Sequence, residues 1–148
     1  MNKKILITAC CLFLLLGTIS AQESQLEKAF TAISKLDGFQ TYNRQQLIDN
    51  GWDADNPRLS KELGNVKMAI HANAEPREQF LAILETIPSS LLYDETIDER
   101  YKVTRYYTET DAQGIGYFLF AFVGKGGNDT VAMLYKGGDE DMYKALIH

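Results

Sequence analysis

The chain has 148 residues, 45% of them apolar and 24% charged, with 3 Pro, 11 Gly and a formal net charge of −5. That composition excludes a disordered chain or a repeat array and fits one globular domain. The acidic balance also disfavours nucleic acid and anionic lipid as partners, since both call for a basic surface.

Asn2, Lys3 and Lys4 give the chain a positive start, Ile5–Leu16 is an apolar run of twelve residues, and Gly17–Ala21 is mostly small. This is the layout of a secretory signal peptide cut after Ala21. The run is shorter than the about 20 apolar residues that span a bilayer, so no membrane span is expected. The two cysteines, Cys10 and Cys11, lie inside it. Ile7-Thr8-Ala9-Cys10 has the outline of a lipobox, but the apolar core continues through Phe13–Leu16, beyond the cysteine. Cleavage after Ala21 removes Lys3, Lys4 and no acid, so residues 22–148 carry 13 basic against 20 acidic residues, a net −7, and no cysteine. Disulfide and thiol chemistry are then excluded in a compartment that would permit them. The expected product is a single exported domain, 22–148, in the periplasm or at the cell surface.

Leu26, Ala29, Phe30 and Ile33 recur at helical spacing, which predicts a helix over 23–36, closed by Asp37-Gly38. Phe39–Tyr42 reads as a short strand and Arg44–Asp49 as one or two helical turns. Asn50-Gly51 and Asp53–Pro57 are turn chemistry, and Asn56-Pro57 opens a short helix to Leu63. Val66, Met68 and Ile70 alternate with Lys67, Ala69 and His71, as in a strand with one buried face. Pro76 starts a helix with the stripe Phe80, Ile83, Leu84 and Ile87, and Pro88 stops it. Strands follow at Leu91–Ile97, Tyr101–Thr108, Gly116–Val123 and Thr130–Tyr135, with a turn at Gly124–Asn128 between the last two. After Gly137-Gly138, Asp139 begins a short final helix through Met142, Leu146 and Ile147. The fold class is therefore α+β: a mostly antiparallel sheet of four to six strands, two main helices packed on it, and a short C-terminal helix.

The strand at 116–123 carries Tyr117, Leu119, Ala121 and Val123 on one side and Phe118, Phe120 and Phe122 on the other. With both faces apolar it belongs in the middle of a sheet and needs cover on each side. Left open, the three phenylalanines would form a docking or self-association surface.

The helix Leu26–Leu36, the segments Val103–Tyr107 and Tyr117–Val123, and the strand Val131–Lys136 leading into Gly137–Met142 together resemble a group of small exported proteins of Gram-negative bacteria classed as a domain of unknown function. The resemblance lies in pattern, covers most of 22–148, and implies an α+β fold and an envelope location. The polar insert from Asn43 to Leu63 has no counterpart in it, and it carries over no catalytic residue.

No catalytic constellation stands out. His71, with Glu75 four residues on, and the terminal His148 are too few for a zinc site without cysteine, and no nucleophile elbow accompanies them. Asp53-Ala54-Asp55-Asn56-Pro57 departs from the calcium-loop pattern, because Pro57 takes a ligand position. Asp94, Glu95, Asp98 and Glu99 are dense enough for acid–base work, yet they bracket a hairpin turn and read as a solvated loop. Gly124-Lys125-Gly126-Gly127 lacks the Lys-Ser/Thr ending of a phosphate loop and runs into a strand. Asn128-Asp129-Thr130 matches an N-glycosylation sequon, and Asp129-Thr130-Val131 a short O-glycosylation motif.

Aromatic residues are the stronger signal. Trp52, Tyr93, Tyr101, Tyr106 and Tyr107, with Phe118, Phe120 and Phe122, supply rings suited to protein or glycan partners. Tyr106 and Tyr107 are adjacent on a strand and must face opposite ways. These features predict a non-enzymatic binding or protein-interaction module without cofactor or metal, whose partner is an envelope protein or glycan. A small-ligand carrier or an enzyme with an atypical site is the alternative, and a homodimer through Phe118, Phe120 and Phe122 is a third reading.

Overall fold

A computed structural model of the chain describes residues 23–51, 65–72, 77–126 and 128–137. The expected signal segment 1–21, the 57–63 helix, Trp52, Glu75, His148 and the helix from Asp139 lie outside them. The described elements are α1 (Gln25–Ser34), β1 (Gln40–Asn43), α2 (Arg44–Asp49), β2 (Asn65–His71), α3 (Arg77–Leu84), a 3₁₀ turn (Ser89–Leu91), β3 (Leu92–Thr96), β4 (Tyr101–Thr110), β5 (Gly116–Gly124) and β6 (Thr130–Lys136). The strands form one six-stranded antiparallel sheet in the order β1-β2-β6-β5-β4-β3. The architecture is α+β.

Two predicted boundaries move for local reasons. α1 ends at Ser34 because Lys35 and Leu36 turn back onto Ala32 and Ile33. α3 ends at Leu84, where the Thr86 and Ile87 N–H groups bond Ile83 and Leu84 and the Thr86 hydroxyl also bonds Ile83 O, before Pro88. After α1 the chain passes through Gly38 with φ 81°, where an added Cβ would sit 2.3 Å from His71 Nε2. Glycine suits that positive φ, and a side chain there would also have to displace the His71 ring. Phe39 is thereby set between Phe80, stacked at 5.9 Å, and His71, edge-on at 5.4 Å.

α1 and α3 lie on one face of the sheet. Leu26, Phe30 and Ile33 of α1 and Phe80 and Leu84 of α3 pack on Leu119, Ala121, Val123, Leu134 and Tyr107. Burying each large side chain of this kind contributes about 1.5–3 kcal/mol. The register of α1 on the sheet is fixed by Glu109 of β4. Its carboxylate accepts the backbone N–H groups of Gln25 (3.2 Å) and Leu26 (3.1 Å) and the Ser24 hydroxyl (2.7 Å). The Ser24 oxygen in turn accepts from Leu26 N and Glu27 N, both at 3.2 Å. The otherwise unpaired donors and the positive end of the helix dipole are thus met by a carboxylate from the sheet.

The opposite face carries Val66, Phe118, Phe120, Met133 and Tyr135 with Leu47 of α2. α2 starts with a capping box, in which the Asn43 side chain accepts Gln46 N–H and the Gln46 side chain accepts Asn43 N–H. It follows β1 directly, which carries Leu47 to the side of the sheet away from α1 and α3.

Candidate functional site

Alternation along β5 sends Phe118, Phe120 and Phe122 to the face away from α1 and α3, and antiparallel pairing sets Thr108, Tyr106 and Thr104 of β4 opposite them. The result is a row of touching rings. Tyr101 lies 5.3 Å from Phe122, Phe122 6.2 Å from Tyr106, Tyr106 5.2 Å from Phe120, Phe120 4.8 Å from Phe118, and Phe118 6.4 Å from Tyr93. Tyr135 of β6 meets Phe120 edge-on at 5.3 Å. Tilted and edge-to-face pairs of this kind add about 0.5–1.5 kcal/mol each beyond their burial.

The row is graded in exposure. Phe118 is 0% and Phe120 5% exposed, so both are core. Tyr101, Tyr106 and Phe122 are half-buried, and Tyr93 is 41% exposed. Among the described members of the sequence-predicted group, Tyr107 alone turns to the helix-covered face, where it is 3% exposed. The structure therefore brings Tyr101, Tyr106 and Phe122 together, adds Tyr93 at the other end of the row, and leaves Phe118, Phe120 and Tyr107 no surface for a partner. For Phe118 and Phe120 the physical reason is the cover on that face, from Leu47 of α2, Val66, Met133 and Tyr135 and the rings of Tyr93 and Tyr106. Trp52 lies outside the described residues.

Acidic groups border the open part. Burial raises the Tyr106 hydroxyl above the usual phenol range, and Asp94 and Asp98 add to the rise. Asp98 is itself held below the usual carboxylate range by hydrogen bonds from Tyr101 N–H and Arg100 N–H. The turn that carries Asp98 is tied to the β5–β6 hairpin, since Lys125 Nζ donates to Asp98 O at 2.9 Å and Asn128 Nδ2 to Arg100 O at 3.1 Å. Gly124 closes that hairpin. A Cβ there would fall 2.2 Å from Asn128 O.

The groups that could have done chemistry have structural partners. Arg105 of β4 bridges Glu85 (2.7 Å), just past α3, and Glu95 of β3. Burial opposes the Arg105 charge, but its hydrogen bonds to Glu85 and Glu95 outweigh that and hold the proton more tightly than usual. The acids at 94–98 thus cap a turn and pair an arginine. His71 packs against Phe39 and Gly38, and no cluster of metal-ligand side chains occurs among the described residues. The O-glycosylation motif meets a steric obstacle, since Thr130 is 0% exposed and its hydroxyl accepts Gly124 N–H at 3.3 Å, whereas Asn128 of the N-glycosylation sequon is exposed.

Sequence reading missed Tyr135, whose alternation on β6 places it beside Phe120, and Glu109, whose partners are more than 80 residues away along the chain. Comparison with protein-family models, curated proteins and solved structures finds no match to this chain. No helix of the described residues is long and apolar enough to cross a membrane.

Proposed function

We propose that the protein is an exported envelope component, a non-enzymatic interaction module that docks a partner protein on the β3–β4 margin of its aromatic face. One observation carries this reading. Tyr93, Tyr101, Tyr106 and Phe122 remain partly open at the side of the sheet where the edge strand β3 has no buried residue. Partly open tyrosines backed by a rigid core offer area at low entropic cost, which is how hot-spot residues act. Among the described strands β3 pairs on one side alone, with β4, so a partner segment could add to its outer side. Export by a cleaved 1–21 segment, membership of the exported group that the sequence resembles, and a short C-terminal helix from Asp139 belong to the same proposal.

The test is affinity capture from the native cell envelope with the wild-type protein and with Tyr93→Ser/Tyr101→Ser, two changes outside the core. The expected result is one stoichiometric protein retained by the wild type and lost by the variant. Retention of the same prey by both would remove this face from consideration. A glycan recovered in place of a protein would replace the partner class.

A further inference from the structure

We propose that a second site lies on the helix-covered face, in the groove between α1 and the β1–α2 corner, and that it binds a small anion carrying a compact phosphate or carboxylate group. Two adjoining cavities, about 450 Å³ and 310 Å³, share Asn43 and Lys67. The larger is within the size range of small-molecule sites, about 300–1,000 Å³. This site does not rest on the aromatic face or on its partner.

Strand register builds the charge. Lys67 of β2 stands opposite Asn43 on one side and Leu134 on the other, and Lys136 of β6 stands opposite Asn65. Both lysines therefore project to the same face at the same end of the sheet. Arg44, the first residue of α2, lines the same cavity, and Glu27 of α1 closes it from above. Among the described lining residues Lys67, Lys136 and Arg44, the last with a further partner of its own, meet one carboxylate, in a chain whose formal net charge is −5. A local reversal of that kind focuses anions.

The cations are not equivalent. Lys136 has Glu27 Oε1 at 3.6 Å and the Tyr117 ring at 5.4 Å, and the Glu27 charge raises its ammonium above the usual range. Lys67 is exposed and makes no ion pair with any described residue. An oxyanion seated over Lys67 would gain charge-assisted hydrogen bonds, with the Asn43 amide beside it to fix orientation, while the Gln45 amide donates to Asp49 Oδ1 at 2.8 Å. Glu27 works against such a ligand, both by repulsion and by engaging Lys136. It sets the sign of the decisive control.

Purified protein titrated with inorganic phosphate, and separately with citrate, should show saturable amide chemical-shift changes centred on Asn43–Gln46 and Lys67. Sodium chloride at matched ionic strength should not reproduce them. Lys67→Gln should weaken binding by about tenfold or more, the loss of one charge-assisted hydrogen bond, and Glu27→Gln should tighten it. Phosphate binding better than citrate assigns a phosphoryl ligand, and the reverse a carboxylate. Shifts reproduced by sodium chloride, or affinities unchanged in both variants, would overturn the proposal.

Discussion

Along β5, Tyr117, Leu119, Ala121 and Val123 meet two helices, whereas Phe118, Phe120 and Phe122 turn into a row of rings. Along β5 the helix-covered face is closed, with those four residues at 4% exposure or less. The aromatic face is closed at Phe118 and opens toward Tyr101 and Tyr93. Side chains under the helices, Tyr107 and Tyr117 among them, make a core and stop. Rings stacked along a strand carry the core outward to a sheet margin, so a rigid interior and a docking surface are built from one continuous set of contacts. This links packing to function: the open rings are held in place by buried ones.

If both faces are core, Phe118→Ala should cost about 3–5 kcal/mol and Leu119→Ala about 2–5 kcal/mol in urea unfolding. A cost below about 1 kcal/mol for Phe118→Ala alone would break the equivalence and leave the aromatic face open in solution. Glu109→Gln strikes the helix-covered face without touching an apolar contact. Weakening a part-buried carboxylate that accepts from Gln25, Leu26 and Ser24 should cost about 1–3 kcal/mol. Ser24→Ala, which removes the cap and leaves Glu109 its backbone donors, should cost about 1 kcal/mol.

The smallest effect is one of pH. Asp98 is held low by its backbone hydrogen bonds from Tyr101 and Arg100, and Asp111 by that from Ile115, with Gln113 adding to it. A carboxylate whose folded pKa lies below its unfolded value, about 3.9, stabilises the fold above that value. The contribution is lost as pH falls through the folded pKa. Asp98→Asn and Asp111→Asn should therefore shrink the stability difference between neutral pH and pH below about 4. Thermal melting across that range checks it, and an unchanged acid limb would show that these turn bonds do not persist in solution.

The elements that run on local periodicity were legible in the sequence. α1 announced itself by Leu26, Ala29, Phe30 and Ile33, all buried, and β5 by apolar residues on both faces, which placed it inside the sheet. The opposed directions of Tyr106 and Tyr107 followed from alternation and are observed. The extent of the open aromatic surface was not legible, because exposure depends on which strand lies at the edge. β3 being outermost, and β5 two strands in, is a property of pairing order. The Lys67–Lys136 pair was hidden for the same reason, since 69 positions separate residues that strand register sets on neighbouring strands.

The most direct test of the central claim is site-specific photo-crosslinking in the native envelope, with the crosslinker installed in turn at Tyr93, Tyr101 and Ala82. Ala82 is exposed on α3, away from the aromatic face. The account predicts the same single adduct from positions 93 and 101 and none from 82. Adducts of equal yield from all three positions, or from position 82 alone, would contradict it.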